Sequence, residues 1–161
     1  MHTKEYRFGY DVYESLEDLP AEWQSLVKQT REITATAYAP YSHFQVAAVA
    51  RLQNGATVTG TNQENASYPV GICAERVLLS AASVLHTNVP IDTMAISYHH
   101  IGGDSGSPVS PCGMCRQALL EYQDRTKQAI RLILSGMSGK IIVIEQASAL
   151  LPLSFGGENL R

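Results

Sequence analysis

No stretch of this chain approaches the roughly 18 continuous apolar residues that a membrane-spanning helix needs, so no transmembrane span is expected. Positive charge is also scarce: Lys and Arg total 12 against 15 Asp and Glu, leaving a net charge of -3. Basic residues so few and so scattered do not build the cationic face that holds polymeric nucleic acid, which favours a small ligand. Cysteine is limited to three residues. An odd number argues against a disulfide framework and for metal or redox chemistry in a reducing compartment. Internal repeats and low-complexity tracts are missing, and the segment Met1 to Tyr10 is polar and aromatic, unlike a signal peptide. A cytoplasmic protein is the expectation.

What is present fits one compact domain. At 161 residues, 45% of them hydrophobic, the chain has enough apolar mass to bury a core of its own. Apolar positions step at helical spacing over 21–37, with Pro20 at a tolerated entry position and Pro40 as a stop. Residues 45–52 and 57–61 read as strands around Asn54-Gly55, a dipeptide suited to the positive φ of a tight hairpin. Helical patterning returns over 73–85 and 112–122, and strand patterning over 94–98, 131–134 and 140–145. The alternation predicts a mixed α/β domain, five strands in one sheet with helices on both faces, hence three layers. Tyr6, Phe8, Tyr10 and Val12 share one parity and make a short further strand candidate near the N-terminus. The Gly/Ser-rich 101–110 reads as a loop.

All three cysteines fall in two short motifs, Cys73-Ala74-Glu75 and Pro111-Cys112-Gly113-Met114-Cys115, each at the start of an expected helix. A Cys-x-x-Cys pair and one distant thiol supply three soft ligands and leave a fourth tetrahedral position open, as in a catalytic zinc centre. Helix N-termini favour thiolate over thiol, so the two helices would lie side by side. Three thiolates on one divalent zinc carry a net charge of -1, and Arg76 is placed to offset it by donating to a ligand sulfur. Glu75, two residues from Cys73, projects roughly 200° around the helix from it, and local geometry at the turn decides whether it reaches the site. Taken alone, Glu75 also reads as an ordinary helix-start carboxylate, and the cysteines as structural thiols or as a structural zinc completed by a histidine. His99-His100 reads as a strand-end pair and not as a metal site; His43 and Asp104 read as structural.

Four runs carry a resemblance to a known family: 39–44 (Ala-Pro-Tyr-Ser-His-Phe), 62–68 (Asn-Gln-Glu-Asn-Ala-Ser-Tyr), 72–76 (Ile-Cys-Ala-Glu-Arg) and 110–117 (Ser-Pro-Cys-Gly-Met-Cys-Arg-Gln). In this order they resemble the small, homotetrameric, zinc-dependent cytidine deaminases. The likeness extends to Leu150–Gly156 and covers about 130 residues, so 1–20 reads as an N-terminal extension and 21–161 as the deaminase-like domain. The resemblance implies one Zn2+ per chain on Cys73, Cys112 and Cys115. Glu75 would then carry a proton from the attacking water to N3 of the pyrimidine and on to departing ammonia. It further implies that Asn62 and Glu64 grip the sugar hydroxyls, that Ala66 and Tyr68 line the pocket, and that Phe44 packs against the base. Phe155 would reach a neighbouring subunit's site in a homotetramer. Gln45-Val46-Ala47-Ala48 departs from the family's usual Val-Gly-Ala, and Gly157 from a usual proline. Free cytidine and deoxycytidine, in pyrimidine salvage, are the implied substrates. A modified cytosine nucleoside or an antibiotic such as blasticidin S is the alternative, and a non-catalytic structural zinc module the third reading.

Overall fold

The computed structural model describes residues Met1 to Leu160. Eight of the chain's main elements follow the expected order. They are helix α1 (Ala21–Ile33), strands β2 (Phe44–Leu52) and β3 (Thr57–Thr61), helix α2 (Ala74–Leu85), strand β4 (Ile91–His100), helix α3 (Gly113–Thr126), and strands β5 (Arg131–Ser135) and β6 (Ile141–Ile144). A ninth element, β1 (Asp11–Tyr13), precedes them and makes the sheet six-stranded, in the order β1-β6-β5-β4-β2-β3. The five-stranded expectation therefore falls one short. The N-terminal strand is confined to Asp11 to Tyr13, which pair with Val143 to Ile141 of β6. Tyr6, Phe8 and Tyr10 remain exposed and extended, their ring centroids spaced 6.3 Å apart.

β4 and β5 pair in parallel and every other neighbouring pair is antiparallel. The one parallel pair requires a crossover, and α3 supplies it. Side chains on successive strand residues enter two separate cores. Ala48, Ala50, Met94, Ile96, Leu132 and Leu134 pack with α2 and α3, while Val49, Ala95, Ile133 and Val143 pack with α1 on the opposite face. A sheet buried on both faces explains the apolar runs Val46–Ala50 in β2, Met94–Ile96 in β4 and Leu132–Leu134 in β5. The three-layer arrangement of the sequence reading holds. No helix among the described residues is long and apolar enough to cross a membrane.

Local chemistry sets the ends of these elements. Gly55 adopts φ 84°, and the Asn54 side chain accepts the Ala56 N–H at 3.1 Å, which closes the β2–β3 turn. α1 stops at Ile33 and tightens into a 3-10 turn over Thr34–Thr36, four residues short of the expected end. One glycine decides where α2 sits: a Cβ on Gly60 of β3 would lie 2.5 Å from both Ala74 O and Leu78 N. Only a residue without a side chain lets the first turn of α2 approach the sheet so closely.

Candidate active site and metal centre

Two helix starts meet at one end of the sheet. Cys73 is the N-cap of α2 and Cys112 the N-cap of α3, both with extended backbone, and Cys115 follows in the first turn of α3. The Cys73 and Cys112 sulfurs are 3.8 Å apart, those of Cys112 and Cys115 3.5 Å, and all three lie within 4.8 Å of one another. Cys115 is fully buried, Cys73 is half-buried and Cys112 is exposed. The neighbouring Cys115 and Cys112 thiols, and last the Arg76 charge, pull the Cys73 thiol below its ordinary range, against the opposing pull of burial and of Glu75. The hydrogen bond with Cys73, together with burial, pushes Cys115 up.

This donor set suits zinc. Arms of about 2.3 Å in a tetrahedron give sulfur–sulfur edges of about 3.8 Å, close to the two shorter separations here, and three thiols leave the fourth position free. Cys73 and Cys112 border a cavity of about 600 Å³, so that free position adjoins space for a ligand. Glu75, in the first turn of α2, lines the same cavity and is only 5% exposed. Burial raises its carboxyl above the ordinary carboxylate range, partly opposed by a hydrogen bond with Cys115. The turn at Cys73 therefore brings the carboxylate to the thiols, which spacing alone left open.

The other expected site residues divide into two groups. Phe44, Asn62, Glu64 and Tyr68 line the cavity; Ala66 and Phe155 do not. The Phe44 ring stacks on Tyr98, with centroids 4.6 Å apart and planes inclined by 15°. Asn62 bridges to β2, accepting Val46 N–H at 2.7 Å and donating to Phe44 O at 2.9 Å. Phe155 is 59% exposed on the protomer surface, where Gln117 Nε2 donates to its carbonyl at 3.0 Å. Arg76 makes no hydrogen bond to a cysteine sulfur among the described residues. It borders a shallow groove of about 210 Å³ between α2 and α3 and acts on Cys73 through its charge.

Three contributors escaped the sequence reading. Tyr98 backs Phe44 through a cross-strand neighbourhood that no local pattern announces. Arg116 ties the loop before α3 to the C-terminal segment, donating to Pro111 O at 2.9 Å and Leu150 O at 3.1 Å. Ser42 hydrogen-bonds Glu64; its only signal was membership of the 39–44 run.

Three thiols with a buried carboxyl beside them, on the wall of one cavity in a three-layer α/β scaffold, make a donor set suited to a zinc-dependent hydrolytic centre. Residues 21–130 match the family model described as the cytidine and deoxycytidylate deaminase zinc-binding region, and the chain belongs to that family. Among individual relatives, the cytidine deaminase of Halalkalibacterium halodurans is 36% identical over 138 residues, covering 86% of this chain and 97% of that protein. The cytidine deaminase of Mycobacterium tuberculosis is 40% identical over 101 residues, 63% of this chain and 71% of the relative. The crystal structure of cytidine deaminase from Burkholderia pseudomallei superposes with a TM-score of 0.72 at 32% identity, over 85% of this chain and 100% of the other.

Proposed function

We propose that the protein hydrolyses the 4-amino group of free cytidine and deoxycytidine, releasing ammonia and leaving uridine or deoxyuridine. The observation that carries this reading is the cavity's chemistry. Its lining holds Glu75 beside Cys73 and Cys112, and no Lys, Arg or His lines it among the described residues. A phosphate on the sugar would enter a cavity whose sugar-side wall carries Glu64 and which no lining cation offsets among the described residues, which favours a nucleoside over a nucleotide.

Cys73, Cys112 and Cys115 would hold one zinc per chain. Bound there, zinc supplies Lewis acidity and makes water nucleophilic near neutral pH. Glu75 takes a proton from the attacking water and delivers it to N3 of the ring. It then passes the second proton to the exocyclic nitrogen as the C4–N4 bond breaks and C4–O replaces it. Water and cytidine thus balance uridine and ammonia. A carboxyl whose proton affinity is raised by burial suits both taking and giving. Phe44, braced by Tyr98, offers a flat face to the base, and Asn62 and Glu64 offer polar partners to the sugar. Tyr68 and the Ala66 segment would close the outer wall. Arg76 would offset part of the net negative charge of three thiolates.

The reading extends to the assembly. A homotetramer in the cytoplasm, serving pyrimidine salvage, would let the exposed Phe155 complete a neighbour's site. Residues 21–161 would form the catalytic domain, with 1–20 an extension whose last part joins the sheet edge as β1. The test is the fall in ultraviolet absorbance when zinc-loaded protein meets cytidine, deoxycytidine, cytidine 5′-monophosphate, deoxycytidine 5′-monophosphate or blasticidin S. Turnover of the two nucleosides and not of the nucleotides is expected; preference for a nucleotide or for the antibiotic would overturn the assignment.

A further inference from the structure

The hydroxyl of Ser42 stands between two groups of the cavity wall. It hydrogen-bonds Glu64 Oε1 and accepts the Phe44 N–H at 3.0 Å. Glu64 Oε2 accepts two further bonds, from Tyr41 N–H at 2.9 Å and Ser42 N–H at 3.3 Å. Hydrogen bonding from the Ser42 hydroxyl and these two amides holds the Glu64 carboxyl below its ordinary range against the opposing effect of burial. An ionised carboxylate offers about four lone-pair positions, so three donors from one turn leave it a single free one, on Oε1. The Phe44 peptide is meanwhile held at both ends, its N–H by Ser42 and its carbonyl by Asn62.

We infer that Ser42 is a positioning residue that sets sugar specificity: it fixes the Glu64 carboxylate so that it accepts one hydroxyl of the nucleoside's sugar and no more. Through the same oxygen it keeps the start of β2, and with it the Phe44 ring, in register with that carboxylate. The sugar and base ends of the ligand are thereby aligned by one side chain. This inference rests on the proposed nucleoside reading of the cavity. Without the hydroxyl, Glu64 keeps its two amide donors but loses the one that orients Oε1, so a sugar hydroxyl meets a carboxylate free to rotate.

The experiment compares KM and kcat for cytidine and for 2′,3′-dideoxycytidine, which lacks both sugar hydroxyls, in the wild type, Ser42→Ala and Ser42→Thr, with zinc content measured on each. The ratio of the dideoxycytidine KM to the cytidine KM should fall about tenfold in Ser42→Ala, the scale of one lost hydrogen bond, and return in Ser42→Thr. In a Glu64→Gln background, Ser42→Ala should lower that ratio no further, since both changes act through one contact. A general loosening of the fold would raise both KM values together and leave the ratio unchanged; that result, or additive losses in the double variant, overturns the inference. If Ser42→Ala fails to fold, Ser42→Gly takes its place. Wild-type protein that turns over neither nucleoside would instead overturn the functional reading, and this inference with it.

Discussion

Cys73 and Glu75 are separated by one residue yet occupy different surroundings, which push their proton affinities in opposite directions. Cys73 caps α2, where the helix N-terminus and the Cys115 thiol favour its thiolate; Glu75 is inside the first turn, where burial favours its protonated form. Replacing Glu75 with Gln keeps the shape and removes the proposed proton carrier. Turnover should fall about 10²–10⁴-fold, the usual range for a lost general acid–base, while zinc stays at one ion per chain because the three sulfurs are untouched. Zinc quantification beside a rate assay checks both; loss of metal together with rate would make Glu75 a ligand. At this scale the gathering of the three cysteines was legible in their short motifs, whereas spacing left open whether Glu75 reaches them and the turn at Cys73 decides it. Ser42 and Tyr98 were not, since a hydroxyl meeting a carboxylate 22 residues away, or a ring meeting another across β2 and β4, is fixed by strand register that no local spacing encodes.

The elements were more legible in kind than in extent. Strand parity and helical spacing found both cysteine-bearing helices and the hairpin, because each buries an apolar face and period alone reveals it. β4 runs to His100, beyond the expected Tyr98, because β2 pairs with it as far as the Phe44–His100 register. β1 was seen as a candidate but misplaced by several residues, since its length depends on what β6 offers. The seating of α2 on β3 depends on Gly60, whose role appears only when helix and strand are both in place. Gly60→Ala would force a Cβ to within 2.5 Å of the backbone at Ala74 and Leu78, and overpacking of this kind typically costs about 1–3 kcal/mol. The melting temperature should fall. More specifically, Cys73 should shift relative to Cys112 and Cys115, so zinc should be lost to a competing chelator at lower chelator concentration. Leu78→Ala is the control: it removes a fully buried side chain from the same helix and should cost about 2–5 kcal/mol of stability with a smaller effect on zinc retention. Equal zinc retention in the two variants would mean that Gly60 governs stability alone.

For the whole molecule the open matter is whether the cavity is complete within one chain. Phe155 lies outside it and more than half exposed, held only through its backbone carbonyl by Gln117. An aromatic ring so exposed is expensive to leave in water, and the proposed closed oligomer would bury it through the same contact at every site. Two variants together decide this. Phe155→Ala alone should raise KM for cytidine about tenfold, in line with the loss of an aromatic contact, and Glu75→Gln alone should be nearly inactive. Unfolded together and refolded as mixed oligomers, they should regain sites of wild-type KM, because a chain with Glu75 intact can receive the ring of a Glu75→Gln neighbour. Activity at low cytidine should therefore exceed that of the Phe155→Ala protein at the same concentration of Glu75-bearing chains. If the ring serves its own chain, mixing brings no gain, and the raised KM would then reflect a disturbed C-terminal segment acting on α3 through Gln117.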